Sequence, residues 1–162
     1  MGDLVDDLLA EWAEERPDQD FSALGVVVRI QLLSKLLTEG AEEALAELGL
    51  KLWEYDVLSA LRRQGSPYEM NATELAQASL LTSGTITTRI DGLEARGLVA
   101  RKPSPEDRRA VQIRLTRAGL ALTEKAIAAR LASANSQLSF LSARQRSSLS
   151  QGLGQMLTRL AE

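Results

Sequence analysis

The chain has 162 residues, of which 44% are hydrophobic and 25% charged, and its formal net charge is -3. This length and composition are typical of one soluble domain that is long enough to bury a core. It contains no cysteine and no histidine, which removes disulfides, thiol and imidazole catalysis and the usual zinc ligands, so neither an enzyme nor a bound metal or cofactor is predicted. No apolar run approaches the roughly 20 residues of a bilayer span, and the acidic beginning lacks the basic region of a secretory signal, so a cytoplasmic protein is expected.

Three helical segments are predicted in the first 65 residues. Val5, Leu8, Leu9 and Trp12 recur at helical spacing, and Pro17 follows as a helix breaker. From Ser22 to about Thr38 the apolar residues form a wide stripe, which continues less regularly to Gly49. This stretch predicts either one long, mostly buried helix or a broken pair. A further helix around Trp53–Leu61 is stopped by Gly65, Ser66 and Pro67.

Two short helices with a tight turn between them are predicted next. Asn71 and Glu74 have the spacing of a capping box and begin a helix that runs to about Ser79. After the turn, a helix begins near Thr82 or Ser83 and ends at Gly97. It buries three residues at i, i+4 and i+7, namely Ile86, Ile90 and Leu93. Two helices joined by about three residues match a helix-turn-helix.

A β-hairpin and two long helices complete the chain. Residues 98–102 and the alternating run Val111, Ile113 and Leu115 predict two strands with one face on a core. Thr116 is expected to cap a helix that ends near Gln137, and Ser142 to begin a last helix. The predicted fold class is therefore mainly α, a winged helix-turn-helix with a two-stranded β-hairpin wing and helical termini.

The beginning of the second short helix is a candidate DNA-binding surface. Its outward residues are small and polar, and hydroxyls and helix N-terminal amides bind base edges and phosphates. The candidate DNA-binding residues here are Thr82, Ser83, Gly84, Thr85, Thr87 and Thr88. The alternative for Thr82 and Ser83 is a plain capping role.

The turn of the hairpin is the second candidate DNA contact. Its prolines stiffen the turn, and Asp107 is placed to orient Arg109, which with Arg108 can enter a narrow minor groove. Residues 82–117 carry a net charge of +4 against -7 for residues 1–20, so the local field favours phosphate despite the acidic whole. An isolated run of this kind would be read as a solvated charged turn.

Three runs of the sequence carry a resemblance to a known family. Residues 89–99, then 107–111 and 115–119, are similar to the multiple-antibiotic-resistance regulator (MarR) family, and the similarity covers about Phe21 to Leu160. The resemblance implies one domain, 1–162, that forms a homodimer through helical regions 1–48 and 117–162. It also implies a DNA-binding lobe over 50–116. Such proteins usually repress a gene until a small molecule releases them from a pseudo-palindromic operator.

A narrower resemblance is to the urate-responsive subgroup. It implies a ligand set of one tryptophan, one aspartate and two arginines, which map onto Trp12, Asp56, Arg89 and Arg101. Thr88 departs from the asparagine of that subgroup, which bears on operator preference. Urate is a planar monoanion suited to stacking on indole and to paired hydrogen bonds from a guanidinium. The expected effector is therefore a small aromatic anion such as urate or xanthine.

Three alternatives remain open at this point. Trp12 could be a dimer-core anchor while Asp56 forms a structural ion pair with Arg89 or Arg101. The effector could be a different phenolic or aromatic anion. The winged helix could also be a protein–protein interaction module that binds no DNA.

Overall fold

The computed structural model describes residues 2–79, 83–103 and 111–161, with no account of the side chains of residues 83–85. Within those ranges the chain forms seven helices and three strands. In chain order they are α1 Leu4–Glu15, α2 Ser22–Ala46, α3 Leu52–Arg63, β1 Glu69–Asn71, α4 Ala72–Ala78, α5 Ser83–Ala95, β2 Val99–Pro103, β3 Val111–Leu115, α6 Arg117–Gln137 and α7 Ala143–Leu160. No described helix combines the length and apolar character that a bilayer span requires.

The chain divides into two compact units, residues 1–40 and residues 41–162. In the first unit, Asp3 caps α1 and also accepts two hydrogen bonds from Arg29 of α2, at 2.8 and 2.9 Å. Trp12 stacks on Phe21 with 5.5 Å between ring centroids. Helix α1 is therefore held against the first half of α2 by ion pairs at one end and aromatic packing at the other.

Helix α2 is one continuous helix of 25 residues, which decides between the two predicted possibilities. The expectation that it is mostly buried is wrong for this chain taken alone. Its wide apolar stripe leaves large side chains exposed, among them Leu24, Val26, Val27, Leu32, Leu33, Leu36 and Leu37. A stripe of this width that none of the described residues covers indicates a surface that needs a partner.

The core of the second unit lies between α3, α4, α5 and the sheet. Its fully buried side chains include Leu58, Leu61, Leu75, Ile90, Leu93 and Ile113. The three apolar positions predicted for the second helix of the helix-turn-helix, Ile86, Ile90 and Leu93, are all buried. The 3.6-residue periodicity therefore identified the inner face of α5 correctly.

The sheet has three antiparallel strands in the order β1-β3-β2, one more than predicted. The hairpin of β2 and β3 is confirmed, with Val99 opposite Leu115 and Pro103 opposite Val111. The additional strand, β1, pairs Met70 with Ile113. It has only three residues and runs directly into the α4 capping box, so it is too short to show an alternating pattern.

Helix α6 begins where the backbone of two segments comes very close. Thr116 caps the helix, and its hydroxyl also donates to the carbonyl oxygens of Gly97, at 2.7 Å, and Leu98, at 3.2 Å. A Cβ on Gly119 would lie 1.9 Å from the Leu98 oxygen, so only glycine fits there. The end of α5 and the beginning of α6 are thereby joined through their backbones.

Candidate nucleic-acid interface and ligand cavity

The outer face of α5 is polar, as predicted. Thr87 and Thr88 are exposed, and the helix begins at Ser83 and gives way to a left-handed Gly97 with φ of +69°. Thr82 and the side chains of Ser83, Gly84 and Thr85 lie outside the described residues. The described part of α5 therefore presents two threonine hydroxyls to solvent on the face opposite the core.

The predicted contacts of the wing fall between the described parts of its strands. Pro103 and Val111 are paired, and residues 104–110 connect them. Asp107, Arg108 and Arg109 are within that connection and lie outside the described residues. Their roles stay predictions.

Arg101 is held by carboxylates at the junction of α5 and β2. Its guanidinium contacts Asp91, at 2.5 Å, and Glu94, and its backbone N–H donates to Glu94 at 2.9 Å. The hydrogen bond with Asp91 is the main reason that the pKa of Arg101 lies above its usual value. To bind an anion as predicted, Arg101 would have to leave both carboxylates.

A cavity of about 570 Å³ lies beside the middle of α5. Its volume is within the usual range of small-molecule sites. Three segments contribute to it: the end of α2, the turn before α3 together with its first residues, and the middle of α5. The lining residues are Glu42, Ala46, Leu50, Lys51, Leu52, Trp53, Asp56 and Arg89. Two of the four predicted ligand residues, Asp56 and Arg89, thus line one cavity, and Arg101 is not among its lining.

Arg89, which lines this cavity, also has a buried hydrogen-bond donor without a partner among the described residues. Its Cζ lies 5.0 Å from the centroid of the Trp53 ring, and its Nη1 is buried with no hydrogen-bond partner among the described residues. A buried charged donor without an acceptor costs on the order of 2 kcal/mol or more. The guanidinium therefore lies over the indole, and its Nη1 lacks an acceptor in the described part of the chain.

Asp56 lies in the same lining with a perturbed pKa. Burial raises the pKa of its carboxyl above the ordinary aspartate value, while the positive charges of Arg130, Arg63 and Arg89 partly oppose that rise. Since burial disfavours the charged form, Asp56 is a carboxylate that responds strongly to a change of nearby charge.

The predicted aromatic residue, Trp12, belongs to the other compact unit, where it stacks on Phe21 with 45% of its surface exposed. The aromatic residue that contacts Arg89 is instead Trp53, which the sequence analysis treated only as part of a helix. A signal for it existed: Trp53 precedes Asp56 by three residues, and residues at that spacing share a helix face.

A second contact that sequence reasoning missed joins α5 to α3. Glu54 is only 5% exposed, and its carboxylate accepts from Arg96 Nη1 at 2.6 Å and from the Lys51 backbone N–H at 2.8 Å. Arg96 Nη2 also donates to the Gly49 oxygen at 2.9 Å. The C-terminal end of α5 is therefore fastened to the beginning of α3, next to the cavity.

The chain is similar in sequence to known transcriptional regulators. The sequence profile described as MarR family matches residues 48–110. The HTH-type transcriptional regulator PecS of Dickeya dadantii (strain 3937) is 33% identical over 123 residues, which is 76% of this chain and 74% of that protein.

Two solved structures have the same fold. A mutant of MarR from E. coli, complexed with operator DNA, has a TM-score of 0.72 at 23% identity and covers 96% of this chain and 99% of its own. BpsR of Bordetella bronchiseptica, whose DNA binding is regulated by 6-hydroxynicotinic acid, has a TM-score of 0.72 at 25% identity and covers 85% and 95%.

Proposed function

Because the chain belongs to the MarR family of DNA-binding transcriptional regulators, we propose that it represses transcription from a pseudo-palindromic operator. A small aromatic anion such as urate or xanthine is the proposed effector, and it releases the DNA by binding in the cavity beside Arg89. Membership of this family sets aside an enzyme and a pure protein-interaction module.

The outer face of α5 and the wing are the proposed DNA contacts. Thr87 and Thr88, exposed on α5, are available to base edges or phosphates. The paired ends of β2 and β3 support a hairpin from which Arg108 and Arg109, oriented by Asp107, would reach a minor groove. We assign Thr82, Ser83, Gly84 and Thr85 to the same DNA contact from sequence alone.

The proposed regulator is a homodimer, in which the second copy of the chain contributes a second set of DNA contacts. Helix α7 exposes an apolar stripe of Leu149, Leu153 and Leu157, and Phe140 before it is 77% exposed. Exposed apolar stripes of this kind favour association with a second copy of the chain. Two copies of α5 in such a dimer would read major grooves about 34 to 36 Å apart.

The observation that supports the effector proposal most is the buried Nη1 of Arg89, which has no hydrogen-bond acceptor among the described residues. This arginine lies over an indole, borders a cavity of suitable size and belongs to the DNA-reading helix. A planar anion could stack in this cavity and accept from the buried Nη1. Trp12 and Arg101 remain proposed ligand residues on the strength of the resemblance alone.

The proposed release mechanism is electrostatic. An anion bound to Arg89 repels Asp56, and the resulting adjustment moves α5 away from its DNA-reading position. Ligand and DNA would then oppose each other reciprocally, by a coupling of about 1 to 3 kcal/mol.

The DNA-binding half is tested with the intergenic fragment next to the gene. Arg109→Ala is expected to weaken binding about tenfold or more while thermal unfolding stays unchanged. The wild-type affinity should also fall steeply with salt, because phosphate contacts release counterions. Unchanged affinity in Arg109→Ala would contradict the assignment of the wing.

The effector half is tested by calorimetry with urate, xanthine and 6-hydroxynicotinic acid, followed by release of the DNA fragment. Asp56→Asn is expected to bind urate at least as well as wild type, since a repelling charge is gone, yet to release DNA poorly. Normal release by Asp56→Asn would refute the electrostatic mechanism. Binding of 6-hydroxynicotinic acid but not of the purines would keep the repressor and replace its effector.

A further inference from the structure

Arg130 in the middle of α6 is a second arginine with unfilled donors. Its Nε and Nη1 are both buried and have no hydrogen-bond partner within the described ranges. Its Cζ lies 6.0 Å from the centroid of the Tyr55 ring. Neither the sequence patterns nor the resemblance singled out this residue.

Arg130 and Arg89 approach the same helix, α3, over two different aromatic rings. Arg89 of α5 lies over Trp53, and Arg130 of α6 lies over Tyr55. On an ideal helix Asp56 projects about 60° from Trp53 and about 100° from Tyr55, in the arc between them. Asp56 therefore projects into the arc between the two rings over which Arg89 and Arg130 lie, and each of these guanidinium groups has a buried donor with no partner within the described ranges.

We propose that Arg130 is a positioning residue that takes the charge of Asp56 and thereby leaves Arg89 available to the anionic effector. This rests on the proposed function, and it names a residue of the site that would act without contacting the ligand. Arg130 does not line the cavity, whereas Asp56 and Arg89 do. A carboxylate that turned toward Arg89 would occupy the donor that the ligand needs.

The electrostatics of the cluster agree with this assignment. Among the three arginines that lower the pKa of Asp56, Arg130 has the largest effect, followed by Arg63 and Arg89. Arg63 already donates to the Ala78 oxygen at 3.0 Å. Arg130 is therefore the cation with both the strongest attraction for Asp56 and unfilled hydrogen-bond donors.

The first test is a double-mutant cycle with urate as the probe. Arg130→Gln is expected to weaken urate binding about tenfold, within the range of couplings between neighbouring residues, because Asp56 then competes for Arg89. In an Asp56→Asn background the same change should cost much less. Arg130→Lys should restore most of the affinity, since the cation is retained. Wild-type affinity in Arg130→Gln, or an undiminished loss in the Asp56→Asn background, would overturn the proposal.

Arg62→Gln is the matched control. Arg62 also joins α3 to α6, through Glu124, and also lies over a tyrosine ring, at 5.1 Å from Tyr68. It differs in having its hydrogen-bond partner in place. The control removes one positive charge from the same helix pair and should leave urate affinity unchanged.

The second test needs no ligand. The Asp56 carboxyl is titrated by carbon-13 NMR in the full-length protein. The charged groups around it in the described residues are Arg63, Arg89 and Arg130, with Glu42 and Lys51 in the same cavity lining. Arg130→Gln should raise the pKa of Asp56 more than Arg89→Gln does. An equal or smaller rise would reject the assignment of Arg130. If wild type binds no urate, the effector proposal fails, and this comparison still decides the role of Arg130.

Discussion

The middle of α5 and the segment that follows its C-terminal end hold their arginines in opposite ways. At the C-terminal end, Arg96 is bound to Glu54 and to the Gly49 oxygen, and nearby Arg101 is bound to Asp91 and Glu94. In the middle of the helix, Arg89 has a buried nitrogen with no acceptor among the described residues. Satisfied donors are typical of arginines that hold a structure together, whereas the buried donor of Arg89, a residue that also lines a cavity, is open to an acceptor from a ligand.

This contrast also bears on how a signal would reach the DNA. The end of α5 is fastened to α3 and, through Gly97 and Leu98, to the beginning of α6. A ligand at Arg89 would therefore act on a helix that is fixed at one end. A change of tilt about that end is the motion such an arrangement favours.

The largest expected effect comes from the same substitution at Arg96, just after α5, and at Arg89, in its middle. Arg96→Met leaves the buried carboxylate of Glu54 without its cation and should lower the free energy of unfolding by about 2 kcal/mol, less than for a fully buried pair because Arg96 is 39% exposed. Arg89→Met removes a guanidinium whose buried Nη1 has no acceptor among the described residues, and it should leave that free energy unchanged or slightly higher. Urea denaturation measures both. Equal losses would remove the distinction between the two arginines.

An effect of similar size is expected on ligand affinity. Arg89→Ala should weaken urate binding about thirtyfold, which corresponds to about 2 kcal/mol for a lost charged hydrogen bond. Arg101→Ala should weaken it less, because Arg101 has to leave the carboxylates of Asp91 and Glu94 before it can bind a ligand. Calorimetry on the two variants compares them directly. An equal or larger loss in Arg101→Ala would contradict this ranking of the two arginines.

A third comparison separates the two roles of the Glu54 carboxylate, which pairs with Arg96 and also caps the beginning of α3. Glu54 and Glu74 both accept from the backbone N–H at the start of their helices, at 2.8 and 3.0 Å, but only Glu54 also binds an arginine. Glu54→Ala should lower the free energy of unfolding by about 1 kcal/mol more than Glu74→Ala does. Identical melting curves for the two variants would mean that the Arg96 contact contributes nothing.

The smallest effect concerns the pH dependence of stability. The pKa of Asp56 is raised by burial in the folded chain, so between the ordinary aspartate value of about 3.9 and that raised pKa the folded state holds a proton that the unfolded state has lost. Stability from this group therefore falls as pH rises through that window. Asp56→Asn should match wild type in acid and be slightly more stable near neutral pH. A variant that is less stable near neutral pH would contradict the assigned direction.

Much of the fold followed from local patterns. The capping boxes at Asn71 and Ser142, the cap at Thr116 and the inner face of α5 all depend on residues within a few positions of one another. Helix starts and amphipathic faces are short-range physics, so one sequence suffices to place them. Strand β1 was not predicted because three residues are too few to show a periodic pattern.

The residues around the cavity could be predicted from the sequence only in part. The sequence named Asp56 and Arg89, which the structure places in one cavity lining, together with Arg101, which is not in that lining, and it did not point to Trp53 or Arg130. Whether an arginine is paired depends on residues far along the chain, as for Arg96 and Glu54, which are 42 positions apart. Sequence alone determined which segments are helices and which side of each is apolar, because hydrogen bonds and apolar periodicity act locally. Only the tertiary structure decided which cations are neutralised and which remain open, because that balance is set by contacts between helices.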